Sequence, residues 1–108
     1  MNKRQRSKLI ESVCEFWGAA NEEIIHLEQM DRGGSIRSGD PFLQCRRNIE
    51  EGLSGLEATL DTEAFKSLGL GVSSVGELIS GRKYFEARRK LREICTEALK
   101  VSQAAAKI

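Results

Sequence analysis

Ile10, Val13, Trp17, Ala20, Ile24 and Leu27 are apolar or small residues recurring in alternating steps of three and four. No β-strand can put such a stripe on one face, because strand side chains alternate sides every second residue. The spacing predicts a long helix from Asn2 to about Met30, its seam widened by Leu9, Phe16 and Ile25. Gly33 and Gly34 end it, since glycine gives up the most backbone freedom in a helix.

A second seam runs through Phe42, Cys45, Ile49, Leu53, Leu56 and Leu60, with Asp40 expected as N-cap and Pro41 at the first helical position. A third runs through Tyr84, Ala87, Leu91, Ile94, Ala98, Val101, Ala105 and Ile108. Between these two, Gly69 and Gly71 are expected to end a short turn or helix that starts near Asp61. Ser74-Val75-Gly76-Glu77 fits a capping box, which predicts a brief helical turn over Val75 to Ile79 before Gly81 breaks it. The segment Asp31 to Asp40, DRGGSIRSGD, is expected to be a polar connector.

The fold expected is all-α: an up-down-up bundle of three long helices, with a short helical element between the second and third. It forms a single domain over residues 1–108. One proline in the whole chain agrees with long helices. Charge supports the antiparallel order of the first pair. Helix one begins with Lys3, Arg4, Arg6 and Lys8 and ends with Glu22, Glu23 and Glu28, whereas helix two begins with Arg46 and Arg47 and ends with Glu57, Asp61 and Glu63.

The start of the chain lacks the apolar core of a signal peptide, and no apolar run reaches the ~18 residues of a membrane span. With three scattered cysteines, Cys14, Cys45 and Cys95, a cytoplasmic protein with reduced thiols and no membrane contact is expected. Catalysis finds little support. His26 is the only histidine, Cys14 and Cys95 fall on apolar arcs, and the glycine-rich connector lacks the Gly-Lys-Ser/Thr ending of a phosphate-binding loop. The expectation is a non-enzyme with no metal and no cofactor.

Two surfaces are candidates for function. In GRKYFEARRKLREI, Gly81 to Ile94, the cations surround the helix on three sides, and Glu86-Lys90 and Arg89-Glu93 can pair one turn apart. A parallel first and last helix would nevertheless bring Lys3, Arg4, Arg6 and Lys8 beside Arg82, Lys83, Arg89, Lys90 and Arg92, a basic tip able to grip phosphates. LGLGVSSVGELISG faintly echoes a helix-turn-helix, but no Arg, Lys, Gln or Asn precedes Arg82 to read base edges.

The second candidate surface is apolar. A first helix about 43 Å long overshoots a compact domain of this size. Ile24, Leu27 and Met30, together with Val101, Ala105 and Ile108, are therefore expected to be left for a second copy in a two-fold dimer. Arg46, Glu57 and Arg88, polar residues within or beside the seams, would fix register in such an assembly. The favoured function is a non-enzymatic adaptor or regulatory protein that binds another protein and self-associates as a homodimer. The alternative is a nucleic-acid-binding accessory protein using the basic tip.

Overall fold

The computed structural model describes the backbone of residues 3–57 and 59–106 and the side chains of 3–57 and 59–101. Among the described residues there are four α-helices and no strand: α1 (Lys3–Arg32), α2 (Asp40–Ser54), α3 (Thr62–Ser80) and α4 (Tyr84–Ala106). Each helix packs on the next in chain order, and α4 closes the ring against α1. The contacts fix the directions. Trp17 meets Ile49 and Glu23 meets Asn48 between α1 and α2. Arg46 meets Ser80 between α2 and α3, Ser67 meets Glu97 between α3 and α4, and Asp31 meets Tyr84 between α1 and α4. Every neighbouring pair is antiparallel. The result is an up-down-up-down bundle, elongated at 50 × 20 × 19 Å.

The all-helical class is as expected; the helix count and topology differ. The expected short element is α3, a helix of 19 residues, longer than the 15 of α2. Asp61 starts it by accepting the Ala64 amide hydrogen at Oδ1, 2.8 Å away. Gly69, Gly71 and Gly76 then lie inside the helix, and the Ser74 to Glu77 pattern caps nothing. The reason is packing. A Cβ added at Gly71 would stand 2.8 Å from Ile94 Cγ1, and one at Gly76 would stand 2.7 Å from Arg46 Nε. Glycine here lets α4 and the Arg46 side chain lie close against α3. An interior glycine weakens a helix by about 1 kcal/mol relative to alanine. Burial of Leu68, Val72, Val75 and Ile79, at roughly 1.5–3 kcal/mol each, outweighs that.

The end of α3 is a Schellman motif, in which Lys83 N–H donates to Leu78 O at 2.8 Å and Arg82 N–H to Ile79 O at 3.0 Å. The left-handed residue of this motif is not glycine but Arg82, at φ 61°. The start of α2 is shifted by one residue from expectation: Gly39 is the N-cap, without a side-chain cap, and Asp40 stands in the first turn. The helix ends at Ser54, short of the expected seam. The following turn still carries Leu56 into the core, fully buried.

Trp17 is the centre of the α1–α2 contact. It is fully buried, and its indole N–H donates to Ile49 O at 3.0 Å. Gly52 makes room for it, because a Cβ there would stand 2.5 Å from Trp17 Nε1.

Candidate functional site

The extra helix changes which ends meet. Lys3, Arg4, Arg6 and Lys8 occupy the first turns of α1, and all four are exposed. Arg82 lies at the other end of the bundle, its Nη1 2.7 Å from Asp31 Oδ1 near the end of α1. With α1 and α4 antiparallel, the two cation groups are not brought together, and the combined basic tip does not form. Within α4, Arg89 Nε and Lys90 Nζ each lie 3.7 Å from a Glu93 carboxylate oxygen, and Arg88 Nε donates to Asn21 Oδ1 at 3.3 Å. Lys83 and Arg92 are exposed.

The expected self-association surface is likewise divided. Ile24 and Leu27 are 0% and 3% exposed within the chain's own core, and Met30 is half-buried. Val101 is half-buried at the opposite end of the bundle, while the Ala105 side chain and Ile108 lie outside the described residues. Of the seam counted as surplus, Ile24 and Leu27 are covered within the chain itself. Arg46, expected to fix register in an assembly, instead donates from Nη1 to Ser80 Oγ at 2.8 Å within the chain.

At the end where α1 stops, four segments are tied together. The Tyr84 hydroxyl donates to Asp31 Oδ2 at 2.6 Å, and Arg82 holds the other carboxylate oxygen. The Tyr84 ring stacks on Phe42 with centroids 6.4 Å apart, and the Arg82 guanidinium lies 5.7 Å from the Phe42 centroid. Burial, reinforced by the Asp31 carboxylate, pushes the Tyr84 phenol up to about 12. Here the strained backbone of Arg82 has a structural use: it aims the guanidinium at Asp31 and Phe42.

A groove of about 610 Å³ runs along the other surface shared by α1 and α4. Trp17, Leu91 and Leu99 give it apolar walls, with Glu11 and Glu15 on the α1 side and Arg92 on the α4 side. Gly18 lies at its edge, where an added Cβ would meet nothing within 4 Å. Cys14 and Cys95, both half-buried, line it together, and the Cys14 thiol donates to Cys95 O at 3.7 Å. Cys45, by contrast, is sealed in the core, and burial pushes its thiol up to about 12.

The thiol pair escaped sequence reasoning because it depends on topology. Once Asn21 is set opposite Arg88, Cys14 lies two turns before the first and Cys95 two turns after the second, so antiparallel helices must place them together. His26 is exposed on α1. Among the described residues, no group of three or more His, Cys, Asp or Glu could hold a metal ion, and no helix is long and apolar enough to cross a membrane. Comparison of the chain with known protein families, curated proteins and solved structures gives no match.

Proposed function

We propose that this chain is a non-enzymatic helical interaction protein, an adaptor or regulatory subunit, that receives an amphipathic helix of a protein partner in the groove between α1 and α4. The observation that carries this is the groove itself. It has apolar walls, it leaves Leu99 37% exposed, and at Gly18 it presents bare backbone that a second helix can approach closely. Its acidic α1 side and the Arg92 on its α4 side would set the direction in which a partner helix lies.

The test is affinity capture with Gly18→Trp, which fills the groove, and Leu99→Glu, which charges its wall. Both sites are exposed enough that circular dichroism should show an intact bundle. A partner held by the wild type should be lost by both variants and kept by Leu70→Glu, whose site on α3 is 74% exposed. Retention by both groove variants, or loss in Leu70→Glu instead, contradicts the proposal. Sedimentation shows whether the occupant is a second copy: a mass near twice the 12.0 kDa of one chain that falls in Gly18→Trp assigns the groove to self-association. The alternative nucleic-acid role loses the combined tip that motivated it. A gel shift that weakens steeply with salt, and further when Arg82, Lys83 and Arg89 are neutralised, would reinstate it.

A further inference from the structure

We propose that Cys14 and Cys95 are a hydroperoxide-reactive thiol pair that closes to a disulfide across the α1–α4 groove. The pair differs from the third cysteine in access. Cys14 and Cys95 are half-buried and line an open groove, so a small oxidant can reach them, whereas Cys45 is 0% exposed in the core. It also differs in geometry. The two residues face each other from antiparallel helices, with Cys14 Sγ 3.7 Å from the Cys95 carbonyl oxygen.

The two neighbouring thiols are shifted in opposite directions. The Cys95 side chain holds the Cys14 thiol below its ordinary value, against the opposing effects of burial and of the Glu11 carboxylate, and the Cys14 side chain pushes Cys95 up, with burial adding to that shift. Of the other groups on the groove, Glu15 and Asn21 come from α1, and Arg92 and Thr96 from α4. Cys14 is therefore the more readily ionised of the two and the attacking sulfur, with Cys95 the resolving thiol.

The chemistry balances with a hydroperoxide as oxidant. The Cys14 thiolate attacks one peroxide oxygen; an S–O bond forms, the O–O bond breaks, and the departing alkoxide or hydroxide takes up a proton. Cys14 is then a sulfenic acid, and the peroxide has been reduced. Cys95 attacks the Cys14 sulfur; an S–S bond forms, the S–O bond breaks, and the hydroxide leaves with the Cys95 proton as water. Two thiols and one hydroperoxide give one disulfide, one alcohol (water, if the oxidant is hydrogen peroxide) and one water. The new bond ties α1 to α4 inside the groove. The reaction is a property of the chain alone and requires no partner.

The experiment treats the fully reduced, folded chain with hydrogen peroxide at neutral pH, quenches with iodoacetamide, and reads intact mass and tryptic peptides. Trypsin leaves the three cysteines on separate peptides, because Lys8, Arg32, Arg46, Arg92 and Lys100 lie between or beside them. The expected result is a loss of two hydrogens, a linked Cys14–Cys95 peptide pair, and Cys45 still alkylatable after unfolding. Cys95→Ser should stop at a dimedone-trappable sulfenic acid on Cys14, and Cys14→Ser should slow oxidation roughly tenfold or more. The proposal is overturned if the wild type loses no hydrogens under conditions that oxidise free glutathione. It is equally overturned if the bridge includes Cys45, or if it appears only in denaturant. The wild-type result stands whether or not the serine variants fold.

Discussion

Two glycine-bearing regions of this chain use the same residue for opposite reasons. In the loop from 33 to 39, glycine serves through its backbone: Gly34 sits at φ +70°, and a side chain added there would meet open space. In α3, glycine serves through its missing side chain: Gly71 and Gly76 have ordinary helical backbone but stand against Ile94 and Arg46. One use ends a helix and the other lets a helix pack. The difference lies in what faces the residue, which is set by a distant part of the chain.

Substitutions can break or sharpen this contrast. The largest effect is expected where the space is tightest, at Gly52 in α2. Alanine there gains about 1 kcal/mol of helix propensity. Against that, its Cβ would lie 2.5 Å from the fully buried Trp17 indole nitrogen and disturb the hydrogen bond to Ile49. Overpacking at ~1–3 kcal/mol together with a hydrogen bond worth ~1 kcal/mol predicts a net loss of about 2 kcal/mol for Gly52→Ala in urea unfolding. A gain in stability would show the close contact to be slack. Gly71→Ala, which meets Ile94 at 2.8 Å, should lose about 1 kcal/mol by the same measurement.

How much of this was legible follows from where each signal resides. The buried faces of α1, α2 and α4 could be read because each seam repeats within its own segment; Ile10, Val13, Trp17, Ile49, Leu91 and Ile94 are all buried. Helix α3 could not, because Gly69 and Gly71 read as breakers until Ile94 is known to face Gly71. Losing one helix reverses the direction of the last. Every site that joined the two ends of the chain inherited that reversal, including the basic tip and the dimer seam, and the Cys14–Cys95 pairing was hidden by it.

The turn between α3 and α4 extends the contrast, since Arg82 holds a left-handed position where glycine is usual. Its neighbour offers the test. Tyr84→Phe, which removes the bond to Asp31, should cost about 1 kcal/mol at neutral pH. The folded phenol is raised from 10.0 to about 12, so it must stay protonated to contribute. The stability difference between wild type and Tyr84→Phe should be full below about pH 10 and fall as pH rises toward about 12. A difference that grows in that window contradicts the hydrogen bond to Asp31.

The smallest effect has the opposite sign. Gly69, in the same helix as Gly71, would place a Cβ at an ordinary 3.7 Å from Leu53. Gly69→Ala should therefore stabilise the bundle by about 0.5–1 kcal/mol, so that two positions one half-turn apart respond in opposite directions. Equal responses at both would remove the distinction.

Underlying all of this is the claim that α3 is a full helix and α4 therefore runs antiparallel to α1. Lysine cross-linking of the unmodified chain, read on the monomer band with a short amine-reactive reagent, tests it most directly. Lys8, Lys83 and Lys100 are all exposed, and the bundle is 50 Å long. The Cys14–Cys95 contact places Lys8 near Lys100, and the Arg82–Asp31 pair places Lys83 at the far end. Lys8–Lys100 links without Lys8–Lys83 links are predicted; Lys8–Lys83 links without Lys8–Lys100 links would contradict the four-helix topology and the α1–α4 groove with it.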